Sequence, residues 1–326
     1  MPIVAVKPDA IRQAARALAR GDIVAFPTET VYGLGANALD GRAVAKVFAA
    51  KERPRFNPLI VHVPGLTEAE TYAVVDGTAR KLAEAFWPGP LSLVLRKCPG
   101  CPIADLATAG LDTIALRAPA HPIARSLLAE AKLPIAAPSA NRSGRISPTT
   151  AAHVEAELGD IPAMILDGGP CPLGLESTVL SLAGPAPALL RLGALPREAI
   201  EAVLGQELVQ AQSDEPVASP GQLATHYAPE TKLRLGATSV SSNEALLAFG
   251  PHAPKGAAAT VNLSASGDLK EAAARLFSAL RELDQAGAAT IAVMPIPNQG
   301  LGEAINDRLQ RAACSLPPIG ASAHSK

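Results

Sequence analysis

From residue 3 to residue 205, short apolar runs alternate with amphipathic stretches of helical period. Ile3 to Val6, Ile23 to Phe26, Leu59 to Val63, Leu91 to Leu95, Thr113 to Leu116, Pro134 to Ala137, Ala163 to Leu166, Thr178 to Leu182 and Leu189 to Leu192 read as strands. Each is brief, apolar and bounded by turn formers. Pro8 to Arg20, Arg42 to Ala50, Thr78 to Phe86 and His121 to Ala131 read as helices. Asp9 lies in the first turn of one and Gly21 follows it, while Pro88 stops another. This alternation predicts an α/β or α+β domain with a large sheet.

The pattern changes after residue 205. Residues 206–230 carry Gln, Ser, Asp, Pro and Gly without periodicity, as a linker or an ordered crossing segment would. Beyond them Lys232 to Leu235, Ala258 to Leu263 and Thr290 to Met294 read as strands. In the helix from Asp268 to Ala286, Leu269, Ala273, Leu276, Leu280 and Leu283 fall on one face, with Asp268 at the cap. Strands alternating with helices predict a small Rossmann-like α/β domain. A chain of 326 residues suits two domains. The expected division is 1–205, a linker 206–230, and 231–326.

Composition narrows the function. Apolar residues make up 48%, charged residues 18%, and the net charge is −1, as in soluble globular proteins without a global pull toward nucleic acid or membrane. Six Phe, three Tyr and one Trp leave few stacking platforms for single-stranded nucleic acid. No basic, apolar leader opens the chain and no apolar run approaches the roughly 20 residues that span a bilayer, so a cytoplasmic enzyme is expected. Cys98-Pro-Gly-Cys101 has redox-like or zinc-like spacing but lacks a second pair, and reads foremost as a loop. Gly33-x-Gly35-x-x-Ala38 fits the permissive dinucleotide fingerprint, yet polar residues separate it from its strand and no acidic partner follows at the expected distance. A phosphate-binding lysine loop and a nucleophile elbow are both absent from the sequence.

Six polar segments interrupt the apolar pattern. Thr28-Glu29-Thr30-Val31-Tyr32-Gly33 follows a buried strand with hydroxyls, a carboxylate and glycine, as a small-molecule pocket requires, although a tight turn uses the same residues. Lys51, Arg53, Arg55 and Asn57 suit phosphate oxygens or a solvated basic loop. His62 lies in an apolar strand, where a half-buried structural histidine is the commoner case. Arg117 ends a strand and either holds a carboxylate or marks an edge. Ala137 to Thr149 is rich in Ser and Gly whose N–H groups form anion nests, and Ser147-Pro148-Thr149 resembles a helix cap and first turn. Glu176-Ser177-Thr178 opens a strand, and Arg191 follows the apolar pair Leu189 and Leu190.

Taken together, Pro27-Thr-Glu-Thr-Val-Tyr-Gly-Leu-Gly35, Lys51-x-Arg53-Pro with Asn57-Pro-Leu, Trp87-Pro-Gly-Pro90, Arg117-x-Pro-x-His-Pro122, Pro138-Ser-Ala-Asn141 and Glu176-Ser-Thr178 resemble the YrdC-like threonylcarbamoyl-AMP synthases. Ser219-Pro-Gly221 and His226-Tyr-Ala-Pro229 are similar to the two-domain form of that family. The resemblance implies a YrdC-like twisted mixed sheet joined by the linker to a small Rossmann-like three-layer α/β domain. It implies synthesis of threonylcarbamoyl-AMP and pyrophosphate from L-threonine, bicarbonate and ATP. The product would serve a downstream tRNA threonylcarbamoyl transferase that modifies the adenosine beside the anticodon in tRNAs reading A-starting codons.

By the same resemblance Thr30, His62, Arg117, Ala137 and Ser177 hold threonine. Lys51, Arg53, Asn57, Thr113, Ser139, Ser147, Arg191 and Tyr227 hold ATP, and Lys51 and Arg53 are the catalytic cations. Mg²⁺ is expected to arrive on ATP rather than on protein ligands. A weak tRNA contact fits this picture, and membrane association does not. Two alternatives stay open: a carbamoyl-adenylate-forming relative, whose accessory acylphosphatase and zinc-finger modules this chain lacks, and a non-catalytic RNA-binding module, which the charge and scarce aromatics disfavour.

Overall fold

The apolar runs of the N-terminal part become strands of one mixed sheet in the computed structural model, which describes residues 3–210 and 227–314. In chain order the elements are β1 (Ile3–Ala5), α1 (Pro8–Ala19), β2 (Val24–Phe26), β3 (Gly33–Asn37), α2 (Gly41–Lys51), β4 (Ile60–His62), α3 (Leu66–Ala69), α4 (Gly77–Phe86), β5 (Leu91–Arg96), α5 (Asp105–Thr108), β6 (Thr113–Arg117), α6 (Pro122–Ala131), β7 (Ile135–Ala136), α7 (Ala151–Leu158), β8 (Met164–Asp167), β9 (Thr178–Ser181), β10 (Ala188–Arg191), α8 (Arg197–Leu204) and β11 (Val209–Gln210). Among the described residues their eleven strands lie in the order β1-β8-β2-β3-β7-β4-β6-β5-β9-β10-β11.

β4 pairs parallel with β6 and β5 parallel with β9, while β5 and β6 pair antiparallel. This arrangement carries Arg117, at the end of β6, beside His62. β2, β4 and β5 are buried on both faces, which is why they read as continuous apolar runs rather than as alternating ones. One apolar layer under α2 and α4 covers one face, and a second under α1 and α6 covers the other.

Sequence pattern missed β3, because glycine is a poor strand former. It pairs antiparallel with β2, placing Ala25 opposite Leu34. A Cβ at Gly35 would lie 2.7 Å from Ile135 Cγ2 and 2.8 Å from Phe26 Cε1. Gly35 therefore serves sheet packing, while Gly33 lines the pocket. The reading of Ser147-Pro148-Thr149 as a cap and first turn is corrected. The helix begins later, at Ala151, with the Thr150 side chain accepting from His153 N–H.

Beyond the crossing segment come β12 (Leu233–Leu235), β13 (Glu244–Ala248), β14 (Ala259–Asn262), α9 (Leu269–Asp284), β15 (Thr290–Val293) and α10 (Leu301–Ala313). They form a four-stranded parallel sheet in the order β12-β15-β13-β14. Pattern missed the central strand β13 because Glu-Ala-Leu-Leu-Ala consists of good helix formers. Asp268 caps α9 by accepting from the N–H groups of Lys270 and Glu271 at 2.6 and 2.9 Å.

Part of the stretch read as linker forms β11, which pairs parallel with β10. Ser219-Pro-Gly221 and His226 lie outside the described residues. The apolar layer of α9 and α10 includes Val31, Ile146, Leu175 and Ala194 of the N-terminal part. The two sheets are thereby joined next to the polar segments.

Candidate active site

Nine of the predicted side chains line one pocket: Thr30, Arg53, His62, Arg117, Ala137, Ser139, Ser177, Arg191 and Tyr227. Thr28 and Glu176 line it as well. Lys51, Asn57 and Ser147 are buried one bond behind its wall. Lys51 Nζ donates to Ser139 O at 2.6 Å, Arg53 Nε donates to Asn57 O at 3.1 Å, and Ser147 Oγ donates to Glu176 Oε1 at 2.6 Å. Thr113 is not brought to the pocket. It opens β6 while Arg117 ends it, about 13 Å away at roughly 3.3 Å per residue, and it borders a groove with Cys98 and Cys101. There the Cys101 N–H donates to Cys98 O at 3.1 Å, and both are free thiols.

One half of the pocket is built by the turn after β2. Thr28 Oγ1 accepts from the N–H groups of Thr30 and Val31 at 3.1 and 3.2 Å, the local bonding that makes threonine a turn former. The turn presents Glu29 and Thr30 to Arg117. Arg117 donates from Nη2 to Glu29 Oε1 at 2.5 Å, from Nη1 to Thr30 Oγ1 at 2.9 Å, and from Nε to Gly89 O at 3.2 Å. A guanidinium has five N–H groups, so two remain for a carboxylate ligand.

Glu29 is held below its usual carboxyl range. Burial alone would raise it, but Arg117 and the N–H of Ala120 outweigh burial. His62 is pushed down to about 3 by burial and by Arg117, so it is neutral at pH 7. Its Nδ1 faces Ile135 O at 3.4 Å, and its ring meets Phe26 edge-on. Ser177 Oγ lies 2.8 Å from Ser92 Oγ and accepts from Arg191 Nη2 at 3.1 Å.

The other half gathers cations. Lys51 ends α2 and is fully buried, with a second bond to Asn141 O. Its ammonium lies well below its ordinary pKa, through burial first and Arg53 second. Arg53, fixed also by Pro58 O at 2.9 Å, is pushed down to about 9 by burial and Arg191. Arg191 is lowered by burial as well. Lys51, Arg53, Arg117 and Arg191 thus converge on one pocket, and among the described residues Glu29 and Glu176 are the carboxylates buried with them. Buried cations are costly unless anions stand with them, so such a cluster favours an anionic ligand.

Among the described residues, Asn57 Oδ1 and Asn141 Oδ1 are buried without a hydrogen-bond partner. Among the described residues no group of three or more His, Cys, Asp or Glu side chains could hold a metal ion, and no helix is long and apolar enough to cross a membrane.

Three charged residues of the site were not singled out from sequence. Glu29 and Glu176 stand inside the recognised motifs, and a lone carboxylate among hydroxyls beside a buried arginine is the signal that points to them. Arg308, on α10, is fully buried and bonds Glu176 Oε2 at 3.0 Å. It left no signal, since an arginine on a polar amphipathic helix reads as surface.

Comparison with known proteins agrees with this architecture. A family model described as "Telomere recombination" matches residues 16–193, and one described as "Threonylcarbamoyl-AMP synthase, C-terminal domain" matches residues 195–314. The threonylcarbamoyl-AMP synthase of Bacillus subtilis is 41% identical, over 93% of this chain and 92% of its own length. That of Pyrococcus abyssi is 42% identical, over 93% of this chain and 94% of its own. The crystal structure of P. abyssi Sua5 complexed with L-threonine superposes with a TM-score of 0.88 at 38% identity, covering 96% of this chain and 98% of that one.

Proposed function

The chain belongs to the threonylcarbamoyl-AMP synthase family, and from that premise we propose how its pocket works. The protein is a nucleotidyltransferase that condenses L-threonine, bicarbonate and ATP to threonylcarbamoyl-AMP and pyrophosphate. The observation that carries this reading is the convergence of buried cations and hydroxyls on one pocket. The pocket takes a carboxylate at Arg117 and a polyphosphate at Lys51, Arg53 and Arg191. The relatives' names and the threonine complex of the P. abyssi protein support the choice of ligands.

Threonine's carboxylate takes the two remaining N–H groups of Arg117. Thr30, Ser177, the neutral His62 ring and the backbone at Ala137 orient its amine and hydroxyl. The amine nitrogen forms a C–N bond to the carbon of bicarbonate, and water leaves, giving the N-carboxylate. One oxygen of that group then attacks the α-phosphorus of ATP, and the bond to pyrophosphate breaks. Lys51 and Arg53 act as catalytic cations that hold the triphosphate in line and stabilise its charge as pyrophosphate departs.

Ser139, Ser147, Arg191 and Tyr227 hold the remainder of ATP, with Asn57 at its phosphate side. Mg²⁺, carried in on ATP, would spread phosphate charge. Phosphate oxygens and water would be its ligands, since among the described residues no group of three or more His, Cys, Asp or Glu side chains could hold a metal ion. The buried walls exclude water from the carbamate and the mixed anhydride.

The labile anhydride requires prompt transfer, so a tRNA threonylcarbamoyl transferase is the consumer, with at most weak contact to tRNA itself. Free thiols at Cys98, Cys101, Cys171 and Cys314 suit the cytoplasm. The inward-facing cations and the net charge of −1 speak against a non-catalytic RNA-binding module. Incubation with carbon-labelled bicarbonate tests the reading. Label should enter a nucleotide product only when threonine and ATP are both present, and label entering without threonine would contradict it.

A further inference from the structure

One side chain of the C-terminal sheet region reaches the wall of the pocket. Arg308 is buried to 0% exposure. Its Nε donates to Glu176 Oε2 at 3.0 Å, its Nη2 to Leu192 O at 2.7 Å and its Nη1 to Asp307 Oδ2 at 2.5 Å. The other oxygen of Glu176 accepts from Ser147 at 2.6 Å. The guanidinium carbon stands 5.0 Å from the centre of the Tyr227 ring, a cation–π distance. Phe277 of α9 stacks on the same ring at 5.5 Å and 22°. Tyr227 has φ +64°, a left-handed conformation that a bulky residue keeps only when its surroundings determine it. A helix that merely docked would be better served here by leucine or methionine, since burying a guanidinium carries a desolvation penalty.

We propose that Arg308 is a positioning residue for the synthase reaction. It fixes Glu176 and, through it, Ser147, and it holds Tyr227 against the nucleotide side of the pocket. The C-terminal domain thereby becomes a working wall of the active site. The proposal rests on the assignment of Ser147 and Tyr227 to ATP.

The test uses full-length Arg308→Met and Arg308→Lys, with Arg197→Ala as control. Arg197 pairs with Glu303 of the same helix at 2.9 Å, away from the pocket. Steady-state kinetics and calorimetric binding are read for ATP and for threonine separately. Arg308→Met should raise the KM and Kd for ATP by about tenfold or more and those for threonine by less than about twofold. Arg308→Lys should recover part of the loss, because an ammonium keeps the bond to Glu176 but not the planar fork or the ring contact. Arg197→Ala should leave the ratio of the two constants unchanged.

Equal losses for both ligands would overturn the proposal. So would wild-type constants in the folded fraction of a destabilised Arg308→Met, or an ATP-selective loss in Arg197→Ala. If Arg308→Met does not fold, Arg308→Lys decides: an ATP-selective rise of about threefold upholds the role, and wild-type constants reject it. Wild-type protein without synthase turnover would sink the proposed function. The ATP-selective binding loss would still uphold the positioning role, and its absence would reject it.

Discussion

Arg117 and Glu29 form a buried ion pair, Nη2 to Oε1 at 2.5 Å, while Glu29 Oε2 accepts from the N–H groups of Ala120 and His121 at 3.0 and 3.3 Å. One carboxylate thus ties the turn after β2 to the turn after β6 and aims the guanidinium into the pocket. Arg117→Ala should abolish threonine binding while ATP binding survives. Glu29→Gln keeps the shape but leaves the arginine without its charge partner. It should raise the threonine KM by about tenfold, spare the ATP KM, and cost about 3 kcal/mol of stability by denaturant titration. Unchanged threonine binding in a folded Arg117→Ala protein would contradict the assignment.

His62 predicts an acid-sensitive fold. Its pKa in the folded protein, about 3, lies below the ordinary value of 6.5. Between those values the unfolded chain binds a proton that the folded chain refuses, so stability falls as pH drops from about 6.5 toward 3. Melting temperature measured across that window should decline less steeply in His62→Gln than in wild type. Parallel slopes would show that the loss arises elsewhere.

Lys51 couples nucleotide binding to protons. Burial and Arg53 hold its pKa well below 10.5 in the unliganded pocket, and an arriving polyphosphate restores the charged form. At alkaline pH below 10.5, ATP binding should therefore take up protons. Its calorimetric enthalpy should change between buffers of different ionisation enthalpy, and Lys51→Met should flatten that dependence. Buffer-independent enthalpy in wild type would mean the ammonium is already charged.

Gly193 leaves no room for a side chain. A Cβ there would lie 2.4 Å from Thr178 N and 2.5 Å from Glu176 O, both backbone atoms. Gly193→Ala must displace the Glu176–Thr178 turn, at a cost of about 1–3 kcal/mol. Because that turn carries Ser177 and Glu176, affinity for both substrates should fall together. Wild-type kinetics would show that the turn yields freely.

What sequence revealed and concealed follows from burial. β4, β5 and β6 were legible because both of their faces are covered, giving unbroken apolar runs. β3 and β13 were hidden by glycine and by helix-forming residues whose strand state is imposed by neighbouring strands. Arg53 and Arg117 were legible as charges where apolar runs end. Thr113 shares a strand with Arg117 but opens its opposite end, a separation along the strand that a motif does not display. Lys51 and Ser147 stand behind the wall rather than in it, a distinction only packing supplies. Arg308 required the meeting of two sheets distant in sequence.

The proposed reaction joins threonine, bicarbonate and ATP in one pocket. Its most direct test is pyrophosphate release from ATP and Mg²⁺, measured with and without L-threonine and bicarbonate. Release that requires both co-substrates is the predicted result. Release with neither, or none from folded protein, would contradict it.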